Sequence, residues 1–320
     1  MYFDVTVMTG YRVGTDSLCK YISKHPNIYC PGYYGTKFRA NTYSDKTFID
    51  VISCKRNVFI WHDIDVDFIY SGDIPLKNRY LIHPIRHPYE QAIASYNSFL
   101  QQLVLDNKEV PDVEEYILRN GELYFNSSLR CSKYYDKYEK VKIVDFSELA
   151  RCSVNRTMND IYEWLGVEEC ANFVDDFAFK KSYVDSFLEK SPLRISYKGI
   201  YWTIHFVRLV DFIPKYLYKI GSINTDDFGM LAMCMTKDEL YINRSRYNDI
   251  IAKELELIIE NHFSIWSDEL NHKLDFFMMK KINSLPQKIY SLIDNECKSD
   301  YEKIIAYYPK IEMLWRDKWI

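Results

Sequence analysis

Two arginines, each set where a strand gives way to a helix, are the side chains in this sequence best placed to hold an anion. Residues 3–9 (FDVTVMT) read as a short β-strand. They run into Gly10-Tyr11-Arg12-Val13-Gly14-Thr15-Asp16-Ser17, and residues 18–22 (LCKYI) then open an apolar helical pattern that ends near His25-Pro26-Asn27. The first N–H groups of a helix have no intrahelical partner, and the aligned peptide dipoles make that end partly positive. Glycines let a backbone curl closely around a phosphate, and Arg12 adds a full charge with a fork of donors. The loop lacks the GxxxxGK[ST] pattern of nucleotide-hydrolysing P-loops. Taken alone, it reads equally well as a tight strand-to-helix turn.

The second arginine changes that balance. Residues 79–86 (RYLIHPIR) read as another buried strand, ending in Arg86-His87-Pro88-Tyr89-Glu90-Gln91-Ala92. An arginine at a strand end stands at the carboxyl edge of a parallel sheet, where open α/β folds bind ligands. Pro88 falls where a first helical turn accepts it.

This pair of segments resembles the sulfotransferases that use 3′-phosphoadenosine 5′-phosphosulfate (PAPS). Their first motif, (P/R)-(K/R)-x-G-T-x-x-L, is matched by Tyr11-Arg12-Val13-Gly14-Thr15-Asp16-Ser17-Leu18. Their second, R-(D/N/H)-P-x-(E/D)-x-A-x-S-x-Y, is matched by Arg86 to Ala92. A third, softer match is Val141-Lys142-Ile143-Val144-Asp145-Phe146-Ser147-Glu148-Leu149, followed by a helix ending in Trp164-Leu165-Gly166-Val167. The resemblance covers roughly residues 1–190. It implies that Arg12, Val13, Gly14, Thr15, Asp16 and Ser17 cradle the 5′-phosphosulfate, and that Arg86 and Ser95 bind the 3′-phosphate. Val13 and Asp16 stand where the family favours small hydroxyl residues. The family's serine, eight residues after the arginine, is Ala94 here, and Ser95 follows one later. One helical position is a rotation of about 100°.

Sulfuryl transfer needs cations at the leaving phosphate and a base for the acceptor hydroxyl. Residues 58–63 (VFIWHD) read as a strand ending in His62, which precedes Arg86 by 24 residues. Cytosolic members of the family place a base histidine at the corresponding strand end. The resemblance therefore makes His62 and Arg12 the catalytic pair, with Asp63 or Asp65 available to orient the imidazole. An ordinary imidazole titrates near neutrality, which suits proton abstraction. Carbohydrate sulfotransferases often place a carboxylate base after their second strand, but the comparable stretch, Gly35-Thr36-Lys37-Phe38-Arg39, has none. Lys37 is a candidate contact for the sulfonate. Residues 197–202 (YKGIYW) faintly echo the family's 3′-phosphate loop. The family needs no metal, and the sequence carries no metal-ligand constellation.

Composition bounds the rest. With 320 residues, the chain can bury a substantial core, and 48% hydrophobic with 27% charged residues is ordinary for a globular protein. A net charge of −4 gives no overall basic field for nucleic acid. Eight cysteines form no CxxC pair, which points to reduced thiols in a reducing compartment. The sequence opens on its first strand, so the expected location is cytoplasmic, without signal peptide or membrane anchor. The residues of 201–220 are too charged to span a bilayer and read as an amphipathic packed helix.

Strands are expected near 3–9, 28–31, 57–62, 79–85 and 141–145, with helices near 15–25, 45–53, 88–106, 112–119, 126–139 and 154–165. Such alternation implies a three-layer α/β/α fold with a central parallel sheet, like that of P-loop nucleotide kinases. Helical patterns at 236–261, 263–281, 285–296 and 299–307 suggest a mostly helical C-terminal extension. The expected division is a core of residues 1–225 and an extension of 226–320, the latter an acceptor-binding cap or a packed addition. The resemblance implies sulfuryl transfer from PAPS to an acceptor hydroxyl. The abundance of tyrosine and phenylalanine, 28 and 18 residues, favours a carbohydrate or glycolipid acceptor. A P-loop small-molecule or nucleotide kinase, or a catalytically silent nucleotide-binding member, is the alternative.

Overall fold

The computed structural model describes residues 3–10, 12–30, 33–34, 54–62, 76–120, 125–126, 128–150, 152–169, 183–209, 217–243 and 245–318. The helix expected at 45–53, together with Lys37, Asp63 and Asp65, lies outside them. The chain forms two compact units that interleave in sequence. One takes its described residues from Met1–Ser98, Pro111–Phe179 and Ile282–Ile320, and the other from Phe99–Val110 and Lys180–Lys281.

The first unit is an α/β fold around a parallel sheet flanked by helices. Its strands are β1 (Phe3–Thr9), β2 (Ile28–Tyr29), β3 (Tyr33–Tyr34), β4 (Arg56–His62), β5 (Leu76–Ile85) and β6 (Lys140–Asp145). They run in the order β2-β4-β1-β5-β6, with β3 also pairing with β4. The central strand, β1, is buried on both faces from Val5 to Thr9, which requires helices above and below it. The chain leaves β1 for one side of the sheet, returns through β4, and then continues on the other side through β5. The loop after β1 therefore sits at the point where strand order reverses, the place where open α/β sheets bind ligands.

Helix α1 (Thr15–Lys24) follows that loop. Its apolar stripe, Leu18, Cys19 and Ile22, packs into a cluster with Val5, Val7, Ile60, Ile82, Val144 and Leu149. Helix α2 (Pro88–Leu105) follows β5, and α3 (Val113–Asn120) comes next. Residues 129–137, expected to be part of an α-helix, form a 3-10 helix. A shorter 3-10 turn, Phe146–Leu149, follows β6 and leads to α4 (Val154–Trp164). The Tyr162 hydroxyl of α4 donates to the Tyr21 carbonyl of α1 at 2.8 Å.

The second unit corrects one sequence expectation. Residues 201–208 and 217–220, expected within one helix, are strands instead. After α5 (Tyr183–Lys190), β7 (Leu193–Tyr197), β8 (Ile200–Arg208), β9 (Leu217–Thr225) and β10 (Gly229–Thr236) form an antiparallel sheet of order β7-β8-β10-β9. The reason is legible in β8: Trp202, Ile204 and Phe206 are buried while their neighbours are not, a period of two. The YKGIYW stretch is the hairpin between β7 and β8, with Lys198 and Gly199 at φ of 50° and 72°, as a tight primed turn requires.

The short helix α6 (Lys237–Ile242) precedes α7 (Asp249–Lys280), which packs Trp266 and Phe263 on Phe206, with ring centroids 4.2 and 5.3 Å away. The two helices expected near 285–296 and 299–307 are one, α8 (Gln287–Tyr307), followed by α9 (Lys310–Trp315) and a 3-10 turn, Arg316–Lys318. The boundary expected at 225/226 falls in the β9–β10 hairpin. The C-terminal helices divide instead, with α7 in the second unit and α8 and α9 in the first. Helical periodicity reveals an apolar stripe but not the surface that will cover it.

Candidate functional site

Two pairs of neighbouring strands bring the site together. In β1 and β4, Thr9 is the register partner of His62, so His62 ends its strand beside the start of the Gly10–Gly14 loop. In β5 and β6, Ile85 pairs with Asp145. The next residues of those strands, Arg86 and Phe146, consequently leave the sheet side by side. The Arg86 guanidinium carbon lies 4.3 Å from the Phe146 ring centroid, a cation–π contact.

Gly14 caps α1 in the left-handed region, at φ 86° and ψ 20°, with no side-chain cap on the helix. Its carbonyl accepts the first helical bond, from Leu18 N–H at 3.0 Å. A Cβ at Gly14 would lie 2.8 Å from Phe146 Cδ2 and 3.2 Å from Leu149 Cδ1. Glycine is thus needed twice, for the backbone angle and for the approach of Phe146. Among the described residues, no side chain caps the leading N–H groups of this helix.

Arg12 also adopts a positive φ, 59°, and its side chain is exposed. Its guanidinium donates to the Ser98 hydroxyl of α2, and its backbone carbonyl accepts from Arg86 Nη1 at 3.2 Å. The two arginines singled out in sequence, 74 residues apart, therefore meet.

The other expected ligands divide. Thr15 is buried, and its hydroxyl donates to Thr9 Oγ1 at 2.7 Å. The Val13 side chain is fully buried, so only its backbone can serve a ligand. Ser17 is half-buried on the first turn, and the Asp16 side chain lies outside what is described. Ser95 is 3% exposed and faces the interior. Ser98, one turn beyond Ala94 on the same side of α2, accepts from the Arg12 guanidinium. It was missed because the motif ends its count before Ser98; the i,i+4 repeat from Ala94 was the available signal.

Around Arg86, the sequence also hid a supporting shell from the C-terminus. Glu90 Oε2 lies 3.5 Å from Arg86 Nε, and Glu90 Oε1 lies 2.7 Å from Lys318 Nζ. Asp145 caps the Phe146 turn by accepting from Ser147 N–H at 2.9 Å, while Glu148 accepts from Asp145 N–H at 3.1 Å, a reciprocal capping box. Trp315 Nε1 donates to Asp145 Oδ2 at 2.8 Å. The Tyr308 hydroxyl donates to Glu148, 3.0 and 2.9 Å from its two oxygens, and Lys310 pairs with the same carboxylate. Burial and the Glu148 charge push the Tyr308 phenol well up. Helices α8 and α9 thus hold the turn that carries Phe146, on which Arg86 rests.

Two histidines beside Arg86 are held neutral. Burial lowers His83 to about 4, partly opposed by the Ser128 carbonyl. His83 Nε2 donates to that carbonyl at 2.6 Å, which leaves Nδ1 to accept from the Tyr135 hydroxyl at 2.5 Å. Burial first, and the Lys318 charge second, lower His87 to about 3. His87 Nδ1 accepts from Tyr89 N–H at 3.3 Å, so neither ring is set to act as a base for an external substrate. Among the described residues, no group of three His, Cys, Asp or Glu side chains could hold a metal, and no helix is long and apolar enough to cross a membrane.

No protein-family model matches this chain. Among solved structures, it is similar to the sulfotransferase domain from the Synechococcus PCC 7002 olefin synthase, at 14% identity and a TM-score of 0.35, over 57% of this chain and 80% of that one.

Proposed function

We propose that this protein is a PAPS-dependent sulfotransferase acting on an acceptor hydroxyl, and that the acceptor is a carbohydrate or glycolipid. The observation that carries the reading is the hydrogen bond from Arg86 Nη1 to the Arg12 carbonyl. It joins the two motifs expected to bind the two ends of one bisphosphorylated nucleotide. The start of α1, where Gly14 is the N-cap and the exposed Arg12 adds a positive charge, supports an anionic ligand.

In this reading, PAPS supplies an activated sulfuryl group, with the nucleotide 5′-phosphate as leaving group. The first N–H groups of α1 hold the 5′ end, and Arg12 neutralises charge that develops on the leaving side. Arg86 holds the 3′-phosphate through its fork of donors. His62, at the strand end beside Thr9, accepts the acceptor's hydroxyl proton. Ser17 and Lys37 are further candidate contacts. Aromatic richness supports a sugar acceptor, since sugar rings stack on aromatic faces.

The test is thermal stabilisation by adenosine 3′,5′-bisphosphate, compared with ATP-Mg and AMP, for the wild type, Arg12→Ala and Arg86→Ala. Ligand at 100 times its Kd adds about 2.7 kcal/mol of stability. Selective stabilisation by the bisphosphate, lost in both folded variants, is the expected result. A preference for ATP-Mg would point to a kinase. Binding without turnover on any acceptor would point to a silent member.

A further inference from the structure

We propose that Lys318 is a positioning residue for Arg86: by engaging the Glu90 carboxylate, it keeps Glu90 from neutralising the arginine and so sustains the positive charge that an anion at this site requires. This rests on the reading of Arg86 as a phosphate ligand.

Glu90, in the first turn of α2, follows Arg86 by four residues and faces its guanidinium. A carboxylate there competes with any incoming phosphate for the guanidinium and repels the phosphate as well. Its two oxygens are used unequally. Oε2 is 3.5 Å from Arg86 Nε, a loose contact, whereas Oε1 is 2.7 Å from Lys318 Nζ, a close ion pair. Lys318 thus draws the carboxylate toward itself and offsets its charge, while the guanidinium meets Phe146 and the Arg12 carbonyl.

The fold delivers Lys318 to this place. The Trp315 ring stacks on Tyr301 at 5.6 Å and meets His87 edge-on at 5.0 Å, while its Nε1 is fixed on Asp145. Residues 316–318 continue from that anchor as a 3-10 turn. The Lys318 charge is also felt at His87, the residue after Arg86. Lys318 and Glu90 are each about a third exposed, at 32% and 39%. Pairs so exposed contribute little to folding stability, so an effect on ligand binding is separable from one on the fold.

The experiment is calorimetric titration of the full chain with adenosine 3′,5′-bisphosphate, using the wild type, Lys318→Met, Lys318→Arg and the double variant Lys318→Met/Glu90→Gln, with the unliganded melting temperature of each. Lys318→Met is expected to weaken binding about threefold to tenfold, the scale of one partly screened charge. Its melting temperature is expected to stay that of the wild type. Lys318→Arg and the double variant are expected to bind as the wild type does, the first by restoring the cation and the second by removing the carboxylate. Unchanged binding in Lys318→Met, or a double variant as weak as the single one, overturns the proposal. A wild type that does not bind the bisphosphate overturns the reading of the site, and this inference with it.

Discussion

Arg86 Nη1 donates to the backbone carbonyl oxygen of Arg12 across 3.2 Å, so the arginine ending one strand braces the loop that leaves another. Arg12 needs a brace. A non-glycine residue in the left-handed region costs about 1–2 kcal/mol, and the fold holds Arg12 there at φ 59°. The same guanidinium stacks on Phe146 and approaches Glu90, contacts that one planar group makes at once. Lysine keeps the charge but has neither the plane nor the fork. Arg86→Lys is therefore expected to lose at least tenfold in affinity for adenosine 3′,5′-bisphosphate, measured by calorimetry, and to melt lower without ligand. Wild-type affinity in Arg86→Lys would show that Arg86 acts only as a point charge.

Gly14→Ala tests the loop and its support together. The substitution places a methyl 2.8 Å from Phe146 Cδ2 at a backbone φ of 86°. Strain of this kind costs about 1–3 kcal/mol. Chemical denaturation is expected to show that loss, and ligand stabilisation is expected to vanish as Phe146 and Arg86 shift. Retained binding at reduced stability would separate the two roles.

Ser98 and Ser95 should behave oppositely. Ser98 accepts from the Arg12 guanidinium, whereas Ser95 is 3% exposed. Ser98→Ala is expected to leave the melting temperature nearly unchanged and to weaken bisphosphate binding severalfold, because Arg12 loses its rest on α2. Ser95→Ala is expected to cost about 1–3 kcal/mol of stability, the effect of disturbing a buried polar group, and to leave affinity intact. Paired thermal-shift and titration measurements decide; the reverse pattern would put Ser95 in the site.

Acid should destabilise the first unit before its carboxylates protonate. His83 and His87, ordinarily near 6.5, are lowered in the fold to about 4 and about 3 by burial. Between about pH 6.5 and pH 4, the unfolded chain binds protons that the folded chain refuses. Stability therefore rises with pH in this window, is fully present above 6.5 and falls as the pH drops. Each histidine contributes a slope of about 1.4 kcal/mol per pH unit at most. Urea unfolding from pH 7 to pH 4 is expected to show a steep loss, and His83→Gln a shallower one. A flat profile would mean that these rings are solvated.

The first unit shows which features were legible locally. Strand β1, the glycine turn and the apolar stripe of α1 follow one another within 24 residues, and each is specified by near neighbours: a run buried on both faces, a left-handed cap, a period near four. Arg86 was legible too, because a buried apolar run that ends in an arginine and a proline can only be leaving a sheet. The antiparallel strands of the second unit were not, since the charged and aromatic residues around 201–220 fit a helical stripe as well as an alternating strand until Trp202, Ile204 and Phe206 are seen on one face.

The sequence by itself determined that a glycine turn carrying an arginine lies between β1 and α1, that a cation follows β5, and that His62 ends a strand. These follow from the order of residue types along short segments, where steric and hydrogen-bonding preferences act between neighbours. Only the tertiary structure decided that Arg86 meets Arg12, that Ser98 meets the Arg12 guanidinium, and that Trp315 and Lys318 return to Asp145 and Glu90, far earlier in the chain. Those contacts depend on strand register, on the rotation of α2, and on which surface covers the stripes of α8 and α9. A one-residue change in register or a 100° turn of a helix would undo them without altering any local pattern.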